Sequence, residues 1–136
     1  MATLKISDLS VGDWVRCRGR NGRIERLDVI GDDQRISVAV ESDLGTMYQF
    51  VGIEDIDPIP ITAEILEANG FVKNGEYNEW STGNWEDIPF IGISLSRQSM
   101  RIKNIGTDIF LENKVVYVHQ LQHALRLAGI DKEINL

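Results

Sequence analysis

Two histidines, His119 and His123, stand four residues apart in a segment of helical periodicity. On an α-helix that spacing puts both imidazoles on one face, within reach of a single metal ion. Zinc hydrolases use it as His-Glu-x-x-His, with the glutamate as general base. Here the residue after the first histidine is Gln120, and an amide does not accept a proton at neutral pH. The sequence identifies no third ligand. His119 also neighbours Gln122 and Arg126, opposite the apolar stripe of the same segment. The plain alternative is a polar helix edge facing solvent or a partner.

A second group is basic. Arg16, Arg18, Arg20 and Arg23 surround one predicted hairpin, with Trp14 at its start and Arg26 beyond it. Two-residue alternation puts Arg16 and Arg18 on one strand face, and Arg20 and Arg23 flank the turn. Such a cluster holds phosphates, and Trp14 can stack on a base. Residues 1–27 carry six basic and three acidic residues, a net of +3. Residues 28–72 reverse this, with one basic residue against ten acidic, a net of −9. The whole chain stands at −7, which opposes nucleic acid except locally at the start. The alternative is a charged strand face that blunts a sheet edge.

A third group is aromatic. Tyr77, Trp80 and Trp85 surround Ser81-Thr82-Gly83-Asn84, which is turn chemistry, with Phe71 and Phe90 near in sequence. They form either a partner-binding patch or the cover of a small sheet. Cys17, the one cysteine, alternates with Arg16 and Arg18 and so points inward as a structural thiol. No nucleophile elbow and no glycine-rich phosphate loop is present.

The elements that position these groups are short. Leu9 to Ile59 reads as five strands with tight turns. Val15 and Cys17 face inward, then a turn at Gly19-Arg20-Asn21-Gly22 leads into Arg23 to Ile30. A turn at Gly31-Asp32-Asp33 follows. Ile36, Val38 and Val40 share one face of the next strand. Leu44-Gly45 turns into Thr46 to Phe50. A single helical turn within Val51 to Asp55 precedes a last strand, Ile56 to Pro58. Five short strands in about fifty residues indicate a small barrel. Pro58-Ile59-Pro60 marks a boundary.

Beyond it, Thr62 caps a helix over Ala63 to Asn69, with Gly70 as its stop and Ile65 and Leu66 buried. Strands are expected at Tyr77 to Trp80, Ile88 to Leu95, Met100 to Ile105 and Asp108 to Leu111. The last helix carries Val118, Leu121, Leu125 and Ala128 on one stripe, which Ala124 and Leu127 widen. Gly129 ends it, with Ile130 in contact beyond. The fold class is α+β, with a barrel over 1–60 and a helix–antiparallel sheet–helix part over 61–136.

Two resemblances follow from these residues. Val11-Gly12-Asp13-Trp14-Val15, followed by Gly19, Gly22 and Ile24, resembles the opening hairpin of SH3-like barrels, including KOW-type modules. Ile61 to Phe71, together with Tyr117 to Leu127, resembles uncharacterised small proteins of bacterial prophages and mobile elements. That second likeness implies a mobile-element origin and no activity.

The apolar fraction is 43%, enough for a core. No apolar run reaches the roughly 18 residues of a membrane span, and Met1 to Leu9 has no signal-peptide character. A cytoplasmic protein without cofactor or membrane is expected. The first reading is a non-enzymatic binding or assembly module with protein partners. The second is a nucleic-acid accessory protein using the basic hairpin. The third is a metal-dependent enzyme at His119 and His123.

Overall fold

The computed structural model describes residues 4–30, 33–74, 79–83, 86–111 and 116–136. Among the described residues it is α+β, with two antiparallel five-stranded sheets and two α-helices. It divides into two compact units, Met1–Ile59 and Pro60–Leu136. Neither helix among the described residues is long and apolar enough to cross a membrane.

The first unit is a meander of β1 (Trp14–Cys17), β2 (Arg20–Ile30), β3 (Asp33–Ser42), β4 (Gly45–Val51) and β5 (Ile56–Asp57). The spatial order is β4-β3-β2-β1-β5. A 3-10 turn, Ile53–Asp55, leads into β5. Residues directly opposite one another share a face of an antiparallel sheet. On the core face lie Val15, Cys17, Ile24, Ile36, Val38, Val40 and Val51, all buried, with Leu9 and Ile56 joining them. Burying one such aliphatic side chain contributes roughly 1.5–3 kcal/mol. The sheet is strongly curled, because Cys17 Sγ on β1 reaches Gln49 Oε1 on β4 at 3.4 Å across this core. Among the described residues no ladder joins β4 to β5.

The first hairpin turns earlier than its sequence suggests. Cys17 pairs with Arg20, so Arg18 and Gly19 form the turn and Asn21-Gly22 lie inside β2. Both turn residues have positive φ, 50° at Arg18 and 82° at Gly19, as a two-residue hairpin loop requires. Arg18 therefore leaves the face it was expected to share with Arg16. Gly22 serves packing instead. A Cβ there would stand 2.6 Å from Val38 Cγ1 and 3.0 Å from the Ala39 carbonyl oxygen. The β3–β4 hairpin closes at Ser42–Gly45 around Asp43 and Leu44. A register shift between Ile24 and Arg26 marks a bulge in β2. The expected turn at Gly31-Asp32-Asp33 falls mostly outside the described residues, and Asp33 begins β3.

The second unit contains α1 (Ala63–Ala68), β6 (Val72–Lys73), β7 (Glu79–Ser81), β8 (Phe90–Ser94), β9 (Ser99–Asn104), β10 (Thr107–Leu111) and α2 (Val118–Leu127). Its strand order is β10-β9-β8-β7-β6. Thr62 caps α1 by accepting the Ile65 N–H at 3.3 Å, which satisfies one otherwise orphaned donor. Gly70 ends it at φ 81°. Within α1 Leu66 is fully buried, whereas Ile65 is only half-buried. Helix α2 ends as its sequence indicates. The Ile130 N–H reaches back to the Leu125 carbonyl at 2.9 Å and Gly129 takes φ 74°, a Schellman arrangement. Val118, Leu121, Ala124, Leu125 and Ala128 are buried, but Leu127 is 58% exposed and does not widen the stripe. Beyond α2 the chain returns to α1. Asn69 Nδ2 donates to the Asn135 carbonyl at 2.9 Å, and the Asn135 N–H donates to Asn69 Oδ1 at 2.8 Å. Ile134 is thereby fixed in a buried position.

Candidate partner-binding face

Register alone assembles a surface row on the outer face of the first sheet. Trp14 on β1 pairs with Arg23 on β2, Arg23 with Ala39 on β3, and Ala39 with Tyr48 on β4. The adjacent row runs Arg26, Ser37, Phe50. These rows alternate with the core row Val15, Gly22, Val40, Met47, so they point away from the core. Tyr48 is 59% and Phe50 65% exposed. The Arg23 guanidinium lies 5.2 Å from the Trp14 ring centroid, a cation–π contact worth about 0.5–1 kcal/mol at an exposed site. It holds the two side chains together as a flat, partly apolar element.

The four hairpin arginines do not form one cluster. Arg16 and Arg23 flank Trp14 on the outer face, since residues two apart in a strand share a side. Arg18 sits in the turn, paired with Asp55 at 3.6 Å, and Arg20 is exposed at the start of β2. Arg23 Nε also donates to the Gly12 carbonyl at 3.3 Å. Arg26 joins the face and is paired with Asp28 at 3.0 Å. Arg16 stands opposite Asp57 in the β1–β5 pairing. Acidic partners thus accompany much of the positive charge, and the face presents rings and guanidinium planes rather than a strong positive field.

Tyr48 and Phe50 are absent from the sequence reading of candidate residues. Parity explains this. In Thr46-Met47-Tyr48-Gln49-Phe50-Val51 both alternate sets contain apolar residues, so the strand alone does not show its inner face. The signal lies in the hairpin. Ile36, Val38 and Val40 define the core face of β3, and a two-residue loop at Asp43-Leu44 carries that parity to Met47, Gln49 and Val51.

The histidines occupy a different setting from the one expected. His119 is 3% exposed, so it faces the interior of its unit rather than a solvated edge. Its ring stacks on Tyr117, with centroids 5.9 Å apart and planes 11° apart. His123 meets it edge to face, at 5.8 Å and 78°. One ring thus presents its edge to the face of the other, a packing contact between the two side chains. Gln120 accepts the Tyr117 N–H at 2.8 Å and so secures the start of α2. Among the described residues, no group of three or more His, Cys, Asp or Glu side chains is gathered to hold a metal ion.

Of the aromatic loop, Trp80 is described and Tyr77 and Trp85 lie outside the described residues. Trp80 is 6% exposed and stands opposite Ile93 on the core face of the second sheet. Little of Trp80 is therefore open to solvent. A cleft of about 410 Å³ is lined by Trp80, Ile93, Phe90, Gly92, Arg101 and Phe110 among others. Arg101 is engaged there by Asp108 at 2.9 Å. This pairing raises the guanidinium's pKa and holds the Asp108 carboxyl below its ordinary value, in both cases chiefly through the hydrogen bond between them.

No family model, no curated protein and no solved structure matches this chain.

Proposed function

We propose that this chain is a non-enzymatic binding or assembly module that works by contacting another protein, and that its contact surface is the outer face of the first sheet. The observation that carries this reading is the cross-strand row Trp14, Arg23, Ala39, Tyr48, flanked by Phe50. Tryptophan, tyrosine and arginine dominate the energetic centres of protein interfaces, because each combines a large apolar body with a polar handle. The sheet supplies them on a rigid frame. The paired arginines and the net charge of −7 favour a protein over a polyanion.

On this reading the first unit is an SH3-like barrel. Its strand order, the 3-10 turn before β5 and the reach of Cys17 to Gln49 support that assignment. On the same reading the chain is of prophage or mobile-element origin, which the resemblance of Ile61–Phe71 and Tyr117–Leu127 to such proteins supports.

The test is capture of a partner from the native host by the wild-type protein and by a Tyr48→Ser/Phe50→Ser double variant. The expected result is a stoichiometric partner whose affinity falls at least about tenfold in the variant, since 1.4 kcal/mol is a factor of ten. Equal affinity in both, or repeated recovery of the bare protein, overturns the reading.

A second reading has one observation in its favour. Trp14 and Tyr48 in one row with Arg23 form a stacking platform suited to single-stranded nucleic acid. Salt-dependent retention of an oligonucleotide that is lost on changing Arg16, Arg18, Arg20 and Arg23 to Glu supports it. Retention unaffected by those changes removes it.

A further inference from the structure

We infer that the free edge of β4 is a self-association seam, and that its occupant is β4 of a second copy of this chain, antiparallel to it about Tyr48. The inference deepens the assembly reading above by naming one partner.

Among the described residues β4 is the last strand of its sheet and no strand pairs on its far side. Its backbone direction follows from the hairpin. Asp43 and Leu44 make a two-residue loop closed by Ser42–Gly45. In such a loop the closing pair exchanges main-chain hydrogen bonds, and bonded pairs then alternate along the ladder. The Gly45 carbonyl is turned toward β3, where it also accepts from Ser42 Oγ at 2.8 Å. Two-residue alternation turns the main chain of Met47, Gln49 and Val51 the same way. The N–H and C=O groups of Thr46, Tyr48 and Phe50 therefore point to the open edge.

Exposed edges are normally protected by a charge, a proline or a bulge. Gly45–Val51 reads GTMYQFV, with none of the first two, and its pairing to β3 runs without a register shift. The seam is uncharged along its whole length, so a second copy meets no like-charge repulsion within it. Antiparallel pairing about Tyr48 puts Tyr48 opposite its own copy, Phe50 opposite Thr46 and Met47 opposite Gln49. Each opposition keeps its side of the sheet. The outer row then continues through the two-fold axis as Trp14, Arg23, Ala39, Tyr48 and the same four residues in reverse. The two aromatic faces become one, which no unrelated partner strand would achieve.

Two variants test this. Sedimentation velocity of the wild-type chain over a concentration series is expected to show a reversible dimer. Tyr48→Pro removes only an edge-facing N–H, which edge strands tolerate, and is expected to be monomeric with an unchanged melting temperature. A Cys17→Ser/Tyr48→Cys variant is expected to form an intermolecular disulfide under mild oxidation, because directly opposed residues about 5.5 Å apart at Cα suit that bond. A wild-type chain that stays monomeric at its highest soluble concentration overturns the inference. So does a dimer that survives Tyr48→Pro, or a Tyr48→Cys chain that does not cross-link. The double variant remains decisive if the proline variant fails to fold. A wild-type chain that stays monomeric yet captures a heterologous partner sinks the seam and leaves the binding reading standing, whereas a wild-type dimer lost in Tyr48→Pro, with no heterologous partner captured by the wild type, does the reverse.

Discussion

Cys17 Sγ on β1 lies 3.4 Å from Gln49 Oε1 on β4, although β2 and β3 stand between these strands in the sheet. In a flat sheet three strand spacings amount to about 14 Å. The contact therefore measures the curl of the first unit. It also puts the one cysteine of the chain among the core residues, beside an amide and next in sequence to Arg18, which pairs with Asp55.

That position sets the thiol's chemistry. Burial pushes its pKa above the ordinary value; Arg18 acts against this and Asp55 adds to it. The folded state thus holds the thiol proton more tightly than the unfolded chain, whose thiol ionises near about 8.5. This contribution to stability is complete below the unfolded value and is lost as pH rises through the higher folded value. Melting temperatures measured from pH 7 to 10 are expected to fall more steeply for the wild type than for Cys17→Ser. Native Cys17 should also react with iodoacetamide far more slowly than the urea-unfolded chain. Parallel pH profiles, or equal labelling rates, refute the assignment.

Gly22 is a packing glycine. Gly22→Ala forces a methyl group to within 2.6 Å of Val38 Cγ1, inside a core where Val38 and Val40 are fully buried. Overpacking of this kind costs about 1–3 kcal/mol. Gly83→Ala meets nothing within 4 Å and is expected to change stability by less than about 0.5 kcal/mol. Urea denaturation of both variants decides the matter, and equal effects would show that the core around Val38 accommodates the extra methyl group.

Asn69 ties the end of the chain to α1. Its side chain donates to the Ile65 and Asn135 carbonyls and accepts the Asn135 N–H, in a position 8% exposed. Asn69→Ala removes both hydrogen bonds to the Asn135 main chain, while the Ile65 carbonyl keeps the Asn69 N–H, at a cost of about 0.5–1.5 kcal/mol for each bond lost. Hydrogen exchange is expected to accelerate over residues 130–136 before the sheet is affected. Unchanged protection at Ile134 and Asn135 would mean that the tail is held by its apolar contacts alone.

How much of this was legible depended on whether one local signal or two competed. The β3 alternation of Ile36, Val38 and Val40 had no rival pattern, and its inner face is as read. The same holds for the caps of α1 and α2, where Thr62, Gly70 and Gly129 each had one role available. The first hairpin offered two glycines, and Asn21-Gly22 is the stronger turn signal in sequence. Its misplacement follows from a tertiary demand, the closeness of Val38 to Gly22, that no local window contains. His119 was misjudged for a related reason. Its polarity suggested an edge, whereas stacking on Tyr117 gives a buried ring a place in the apolar interior. Trp80 reads as patch or as cover, and its register opposite Ile93, which decides its neighbours, lies in no local window of the sequence.

The histidine pair yields the last prediction, because packing and metal binding require opposite results. If His119 is a core ring, His119→Ala opens a void beside Tyr117 and His123 and destabilises by about 1–3 kcal/mol. His123 is only half-buried, so His123→Ala should cost less than His119→Ala. If instead the pair ligates zinc, both substitutions remove one ligand and cost the bound state alike. A ligand that binds only the folded state raises the melting temperature in proportion to its saturation. Thermal melts of the wild type with and without zinc are therefore expected to coincide, and to coincide again for each variant. A zinc-dependent rise in the wild type that disappears equally in His119→Ala and His123→Ala would establish a metal site and set the packing account aside.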